Sequence, residues 1–146
     1  MTRDKVQIIR EFAFPVKTVY QAFTDQSILK HWLAPDGFTC PDVVFDLQIG
    51  GRTHTRFRDA DGNDSTSEGV FTQVVPNSFV AYDFEVRYLG YHLENLTTEI
   101  TFEPTEAGTK VTVELYLANP DFAEGSQTGW NQSMDNLERL LGKNND

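Results

Sequence analysis

The sequence predicts an α+β fold in which a curved, seven-stranded antiparallel sheet wraps round a long C-terminal helix, with two short helices after the first strand. Three observations carry this. From Phe38 to Leu117 apolar residues recur with period two, as in strands with one face covered and one wetted. Near the C-terminus Trp130, Met134, Leu137 and Leu141 recur at spacings of 4, 3 and 4, the stripe of an amphipathic helix. Between the first apolar run and the alternating stretch, a helical spacing appears once more behind a proline.

Taken in order, Val6-Gln7-Ile8-Ile9-Arg10-Glu11-Phe12 reads as strand 1. Pro15 suits the first turn of a helix, and Val16, Val19, Tyr20 and Phe23 form its buried face. Thr24 and Asp25 are candidate caps for a second short helix carrying Ile28, Leu29 and Trp32, which Pro35-Asp36-Gly37 ends. Strand 2 alternates Val43, Phe45, Leu47 and Ile49 up to Gly50-Gly51. Strand 3 sets Thr53, Thr55 and Phe57 against Arg52, His54, Arg56 and Arg58. After Asp61-Gly62-Asn63, strand 4 runs near Ser67 to Val75 and strand 5 near Phe79 to Arg87, with Pro76-Asn77 between. Strand 6 presents Thr98, Ile100 and Phe102, and strand 7 Val111, Val113 and Leu115, with Ala107-Gly108 as the turn. The last helix is expected near 122–142, with Asp121 and Ser126 as candidate starts and Gly142 as its stop.

Register decides which faces look inward. Pairing Phe102 with Val111 and Ile100 with Val113 puts both apolar sets on one face. Pairing Leu47 with Thr55 and Phe45 with Phe57 keeps strands 2 and 3 consistent if Gly50-Gly51 carries a bulge. Phe71 falls opposite Tyr82, and Gly69 opposite Phe84. The inward set is then Phe45, Leu47, Thr53, Thr55, Phe57, Phe71, Tyr82, Phe84, Ile100, Phe102, Val113 and Leu115. Composition does not separate a close-packed core from a pocket wall built of these residues.

The chain has 146 residues, and 1–146 reads as one domain. Its 11 Phe, 5 Tyr and 2 Trp are ample material for a core or a pocket. A formal net charge of -10 argues against nucleic acid and anionic membrane surfaces, which need clustered Lys and Arg. Cys40, the single cysteine, excludes an internal disulfide and a cysteine-based zinc site. The polar start from Met1 to Lys5 and the lack of a long apolar run lead to the expectation of a cytoplasmic protein.

Candidate chemistry is sparse. His31, His54 and His92 lack metal-ligand spacing, so no metal is expected, and each reads as a surface or cap residue. No nucleophile elbow, phosphate loop or dinucleotide fingerprint is present, and no cofactor is expected. Asp46, Asp83 and Glu85 would matter as acid or base only if they faced inward, and the register places them outward. The Arg52, His54, Arg56, Arg58 row reads as a solvated outer face neutralised by acidic neighbours.

The stretch Ile28-Leu29-Lys30-His31-Trp32-Leu33-Ala34-Pro35-Asp36-Gly37-Phe38-Thr39 resembles the helix-to-strand motif of the activator of heat-shock protein 90 ATPase homologue family, a branch of the START-like (SRPBCC, Bet v-like) superfamily. Asp46-Leu47-Gln48-Ile49-Gly50-Gly51 is similar to that family's Asp-x-Arg-x-Gly-Gly strand end, with Gln48 in place of the basic residue. Gly69-Val70-Phe71, Val75-Pro76, Gly108-Thr109 and the closing Gly129-Trp130 fit in the same order, so the resemblance spans the chain. It implies a helix-grip fold with a cavity between sheet and helix, and identifies fold better than function. The expected wall is Thr53, Thr55, Phe57, Phe71, Tyr82, Phe84, Ile100, Phe102 and Val113, with Trp32, Trp130 and Met134 around it. The implied partner is an apolar small molecule. A chaperone partner ranks second, on the family's name, and a cavity enzyme third, because no catalytic set is visible.

Overall fold

The computed structural model describes residues 3–144. β1 (Asp4–Phe12) leads into α1 (Val16–Thr24) and α2 (Gln26–Leu29). A run of six strands follows: β2 (Phe38–Phe45), β3 (Arg52–Asp59), β4 (Asp64–Val75), β5 (Phe79–Tyr88), β6 (Tyr91–Pro104) and β7 (Thr109–Leu117). A 3-10 turn (Pro120–Phe122) then introduces α3 (Ala123–Asn144). The strands form one seven-stranded sheet in the order β1-β7-β6-β5-β4-β3-β2, antiparallel throughout. The sheet curls round α3 in the α+β helix-grip arrangement. Among the described residues, no helix is long and apolar enough to cross a membrane.

The expected pairings hold where apolar residues on both strands share one face. Phe102 lies opposite Val111 and Ile100 opposite Val113; Phe71 lies opposite Tyr82 and Gly69 opposite Phe84. The β4–β5 turn takes three residues, with Asn77 at φ +62°, and a bulge at Thr72 absorbs the extra one. β5 approaches Gly69 closely: a Cβ there would lie 2.1 Å from the Asp83 carbonyl oxygen and 2.6 Å from the Phe84 Cβ.

The β2–β3 connection differs from expectation. β2 ends at Phe45, which faces Thr53, and Val43 faces Thr55. Leu47 and Ile49 leave the sheet and are exposed, at 38% and 71%. Their segment forms a turn of its own, with Gln48 N donating to Asp46 O and Gly51 N to Gln48 O, both at 2.8 Å. Gly50 N then donates to Phe71 O (2.8 Å), handing the turn to β4. Gly50 is left-handed (φ +83°), and a Cβ at Gly51 would sit 1.9 Å from the Asp46 carbonyl oxygen, so the glycine pair builds a turn and not the expected bulge. The displacement is an even number of residues, so Phe45 keeps its inward face while Leu47 loses it.

The helices differ at their ends. Asp25, not Thr24, caps α2, accepting from Ser27 N at 2.9 Å. The turn before α3 is capped by Asn119, whose Oδ1 accepts from Asp121 N at 3.0 Å, so neither Asp121 nor Ser126 has that role. α3 runs through Gly142, which keeps a right-handed backbone and does not stop it. β6 starts at Tyr91, earlier than expected, because Leu89 and Gly90, at φ +48° and +83°, make a two-residue hairpin turn there.

The core lies between the sheet, α1, α2 and the later half of α3. Phe23 stacks edge-on against Trp32 (centroids 4.8 Å apart) and Phe102 (5.5 Å), and Tyr20 against Phe102 (5.1 Å). Met134, Leu137 and Leu141 are buried on this core. Polar contacts fasten the middle of the helix to the segment after α2: Ser133 Oγ donates to Leu33 O (2.7 Å), and Asn136 Nδ2 to Ala34 O (3.1 Å). Arg10 pairs with Asp135 at 2.7 Å.

The outer face of β3 is the neutralised row expected from its charges. Arg52 pairs with Glu68 (2.7 Å), Arg58 with Asp64 (2.8 Å), and Arg56 reaches Asp42 and Asp64. The Arg52 hydrogen bond holds the Glu68 carboxyl below its ordinary range, and Arg58 does the same for Asp64. His54 departs from the surface reading: its ring is buried under this lattice, with Nδ1 2.5 Å from Glu68 Oε1 and Nε2 3.0 Å from Asp42 Oδ2.

Candidate functional site

The early half of α3 packs differently from the late half. Its cleft side carries Gly125, Ser126, Gly129, Trp130 and Ser133, mostly small, after Phe122 of the preceding turn, where the later turns carry Met134, Leu137 and Leu141. A Cβ at Gly125 would meet nothing within 4 Å, and one at Gly129 only Pro35 Cβ at 3.9 Å. Small side chains here leave the space between helix and sheet unfilled, and that space is a cleft of about 980 Å³. That volume is at the upper end for small-molecule sites.

The sheet supplies the floor. β3 contributes Thr53, Thr55 and Phe57; β4 contributes Ser65 and Ser67; β5 contributes Tyr82, Phe84 and Val86. β6 adds Leu93, Leu96 and Thr98, and β7 adds Leu115 and Leu117, with Phe45 from β2. The β5–β6 hairpin tip, Tyr88 to Tyr91, closes one end, where Tyr91 stands edge-on to Phe122 with centroids 5.8 Å apart. Tyr88 is held by a 2.7 Å hydrogen bond from its hydroxyl to Asp59 Oδ2.

Of the residues expected from sequence, Thr53, Thr55, Phe57, Tyr82, Phe84 and Trp130 line this cleft. Trp32, Phe71, Ile100, Phe102, Val113 and Met134 lie in the packed core beside it, each no more than 2% exposed. Trp32 packs on Phe23, and its Nε1 donates to Ala22 O at 3.0 Å. Sequence reasoning missed the hairpin tip, Thr98, the β4 serines and the small-residue stretch of α3. The run Gly125-Ser126 to Gly129, on the face that later carries Met and Leu, was the available signal for the last of these.

The wall is apolar with neutral hydroxyls. Thr55 Oγ1 and Ser67 Oγ are 2.6 Å apart and satisfy each other. Burial pushes the Tyr82 phenol up to about 12, with a hydrogen bond to Thr98 as a partial offset, so it stays neutral across ordinary pH. Thr53 Oγ1 is buried and has no hydrogen-bond partner among the described residues. The imidazole and carboxylates of the lining are His92, Glu94 and Asp121, and all are exposed, at the hairpin and before the start of α3.

Asp83 points away from the cleft and accepts from Thr97 Oγ1 at 2.7 Å. Glu85, His92 and Glu94 bring their donor atoms within 4.8 Å of one another at the hairpin end, the one grouping of that kind among the described residues. Those atoms pair among themselves, His92 with Glu85 at 3.3 Å and with Glu94 at 3.5 Å. Burial raises the Cys40 thiol above its ordinary value, and its Sγ lies 3.6 Å from Asp42 O, outside the cleft.

The family model described as Activator of Hsp90 ATPase homolog 1-like protein matches residues 13–142. Among solved structures, a protein from Nitrosomonas europaea is 26% identical with a TM-score of 0.83, over 97% of this chain and 96% of that one. One from Chromobacterium violaceum is 27% identical with a TM-score of 0.82, over 94% and 96%. A protein from Silicibacter pomeroyi, titled as an AHSA1 protein, shares the fold at 19% identity and a TM-score of 0.83, over 97% and 99%. No curated protein matches the chain.

Proposed function

Starting from the fact that this chain belongs to the Activator of Hsp90 ATPase homolog 1-like family, we propose that it binds an uncharged or weakly polar small molecule in the cleft between the early half of α3 and the sheet. The observation that carries this is the change of packing along α3, from small residues over a large apolar-walled cleft to Met134, Leu137 and Leu141 over a closed core. Protein interiors are ordinarily filled to crystal density. Thr53, Thr55, Phe57, Tyr82, Phe84 and Trp130 are the proposed contacts.

Burying roughly 200 Å² of ligand apolar surface would contribute about 5 kcal/mol before association costs, so a ligand burying only that much would bind no tighter than on the order of 0.1 mM, and tighter binding requires more buried area. The test is a titration with N-phenyl-1-naphthylamine, an uncharged apolar dye that brightens on leaving water. Saturable brightening at one dye per chain, with quenching of Trp130, is the expected result. A linear, unsaturable signal would remove the binding reading.

A further inference from the structure

We propose that the cleft selects a ligand carrying one uncharged oxygen, a hydroxyl or a carbonyl, on an apolar body, and that Thr53 is the residue that binds this oxygen. The inference deepens the binding reading above and rests on it.

Thr53 is 2% exposed, on the cleft wall, and its hydroxyl is unpartnered among the described residues. Its place in the sheet explains why. On one side it faces Phe45 and on the other Gly69, an apolar ring and a residue with no side chain. Gly69 is fixed as glycine by the close approach of β5, so no neighbour across that strand supplies an acceptor or donor. A buried hydroxyl without a partner weakens the folded protein, and such a group at a pocket wall is one that a ligand oxygen would satisfy.

The other polar groups of the floor define the charge of what can sit there. Thr55 and Ser67 are occupied with each other. Tyr82 remains a neutral phenol. Among the described residues lining the cleft there is no lysine or arginine, while Glu94 and Asp121 stand exposed toward its ends and the whole chain carries a net charge of -10. A carboxylate, phosphate or sulfate head would lose its hydration here and meet no lysine or arginine, and the one imidazole of the lining, His92, is already engaged by Glu85 and Glu94 at the hairpin end. A hydroxyl or carbonyl loses much less and gains the Thr53 hydrogen bond.

The experiment is displacement of N-phenyl-1-naphthylamine by decan-1-ol and by decanoate at pH 7.5, in the wild-type protein and in Thr53→Val, which keeps the shape and removes the oxygen. Decan-1-ol is expected to displace the dye at a concentration at least tenfold lower than decanoate. In Thr53→Val the ratio of decan-1-ol affinity to dye affinity should fall at least fivefold, and the Tm of the free protein should rise by about 2–4 °C by deletion of an unsatisfied group. The selective loss of decan-1-ol affinity is the reading that a merely structural threonine would not give. Equal displacement by the acid, or an unchanged ratio in Thr53→Val, overturns the proposal while dye binding still upholds the cleft. Failure of the dye itself to bind overturns the binding reading.

Discussion

Replacing Trp32 with alanine is expected to destabilise the protein by about 3–5 kcal/mol, measured as a fall in urea midpoint at unchanged slope. The side chain is 1% exposed and packs edge-on to Phe23, so truncation leaves a large cavity at the meeting of α1, α2 and α3. It also strips Ala22 O of the 3.0 Å hydrogen bond from Nε1. Typical domains have only about 5–15 kcal/mol of stability in total, so much of the margin goes. Trp32→Phe should retain most of the packing and lose chiefly the hydrogen bond, about 1 kcal/mol. A Trp32→Ala protein as stable as wild type would mean that this contact does not join the short helices to the core.

Gly129→Leu is expected to abolish dye binding, lowering affinity at least thirtyfold, without loss of stability. Gly129 sits mid-stripe on the cleft side of α3, between Ser126 and Ser133, and nothing but Pro35 Cβ comes near its missing Cβ. A leucine there fills space that the ligand needs. The same change removes a glycine from a helix interior, which favours the folded state by about 0.5–1 kcal/mol. Loss of binding with equal or higher stability separates a blocked site from a broken fold. Dye affinity within threefold of wild type would place binding elsewhere.

How far the fold was legible depended on whether each element stated its buried face twice. β6 and β7 did: Ile100 and Phe102 on one, Val111 and Val113 on the other, allow one register. The α3 stripe did so through Met134, Leu137 and Leu141. β2 did not, because Leu47 and Ile49 continue its alternation into a turn fixed by backbone hydrogen bonds and two glycines. His54 was misread for a related reason, since its burial comes from Asp42 and Glu68 on neighbouring strands.

The boundary between core and cleft was less legible still. Phe71 and Phe84 both face inward from adjacent strands, yet Phe71 is sealed in the core and Phe84 lines the cleft. Phe71 is enclosed edge-on by Phe45 and Tyr82, with centroids 5.4 and 5.7 Å away, a tertiary arrangement that period-two alternation does not encode. The polar floor was partly visible as Thr53 and Thr55. Gly69 as the reason for an unpartnered Thr53 needed the register and the close approach of β5 together.

The most direct test of the central claim is a crystal structure of the protein grown with saturating decan-1-ol. The account predicts one ordered molecule in the cleft, its chain along Phe57, Phe84 and Trp130 and its oxygen within hydrogen-bond distance of Thr53 Oγ1. A cleft holding only solvent at saturation, or a molecule ordered at another surface, would contradict it.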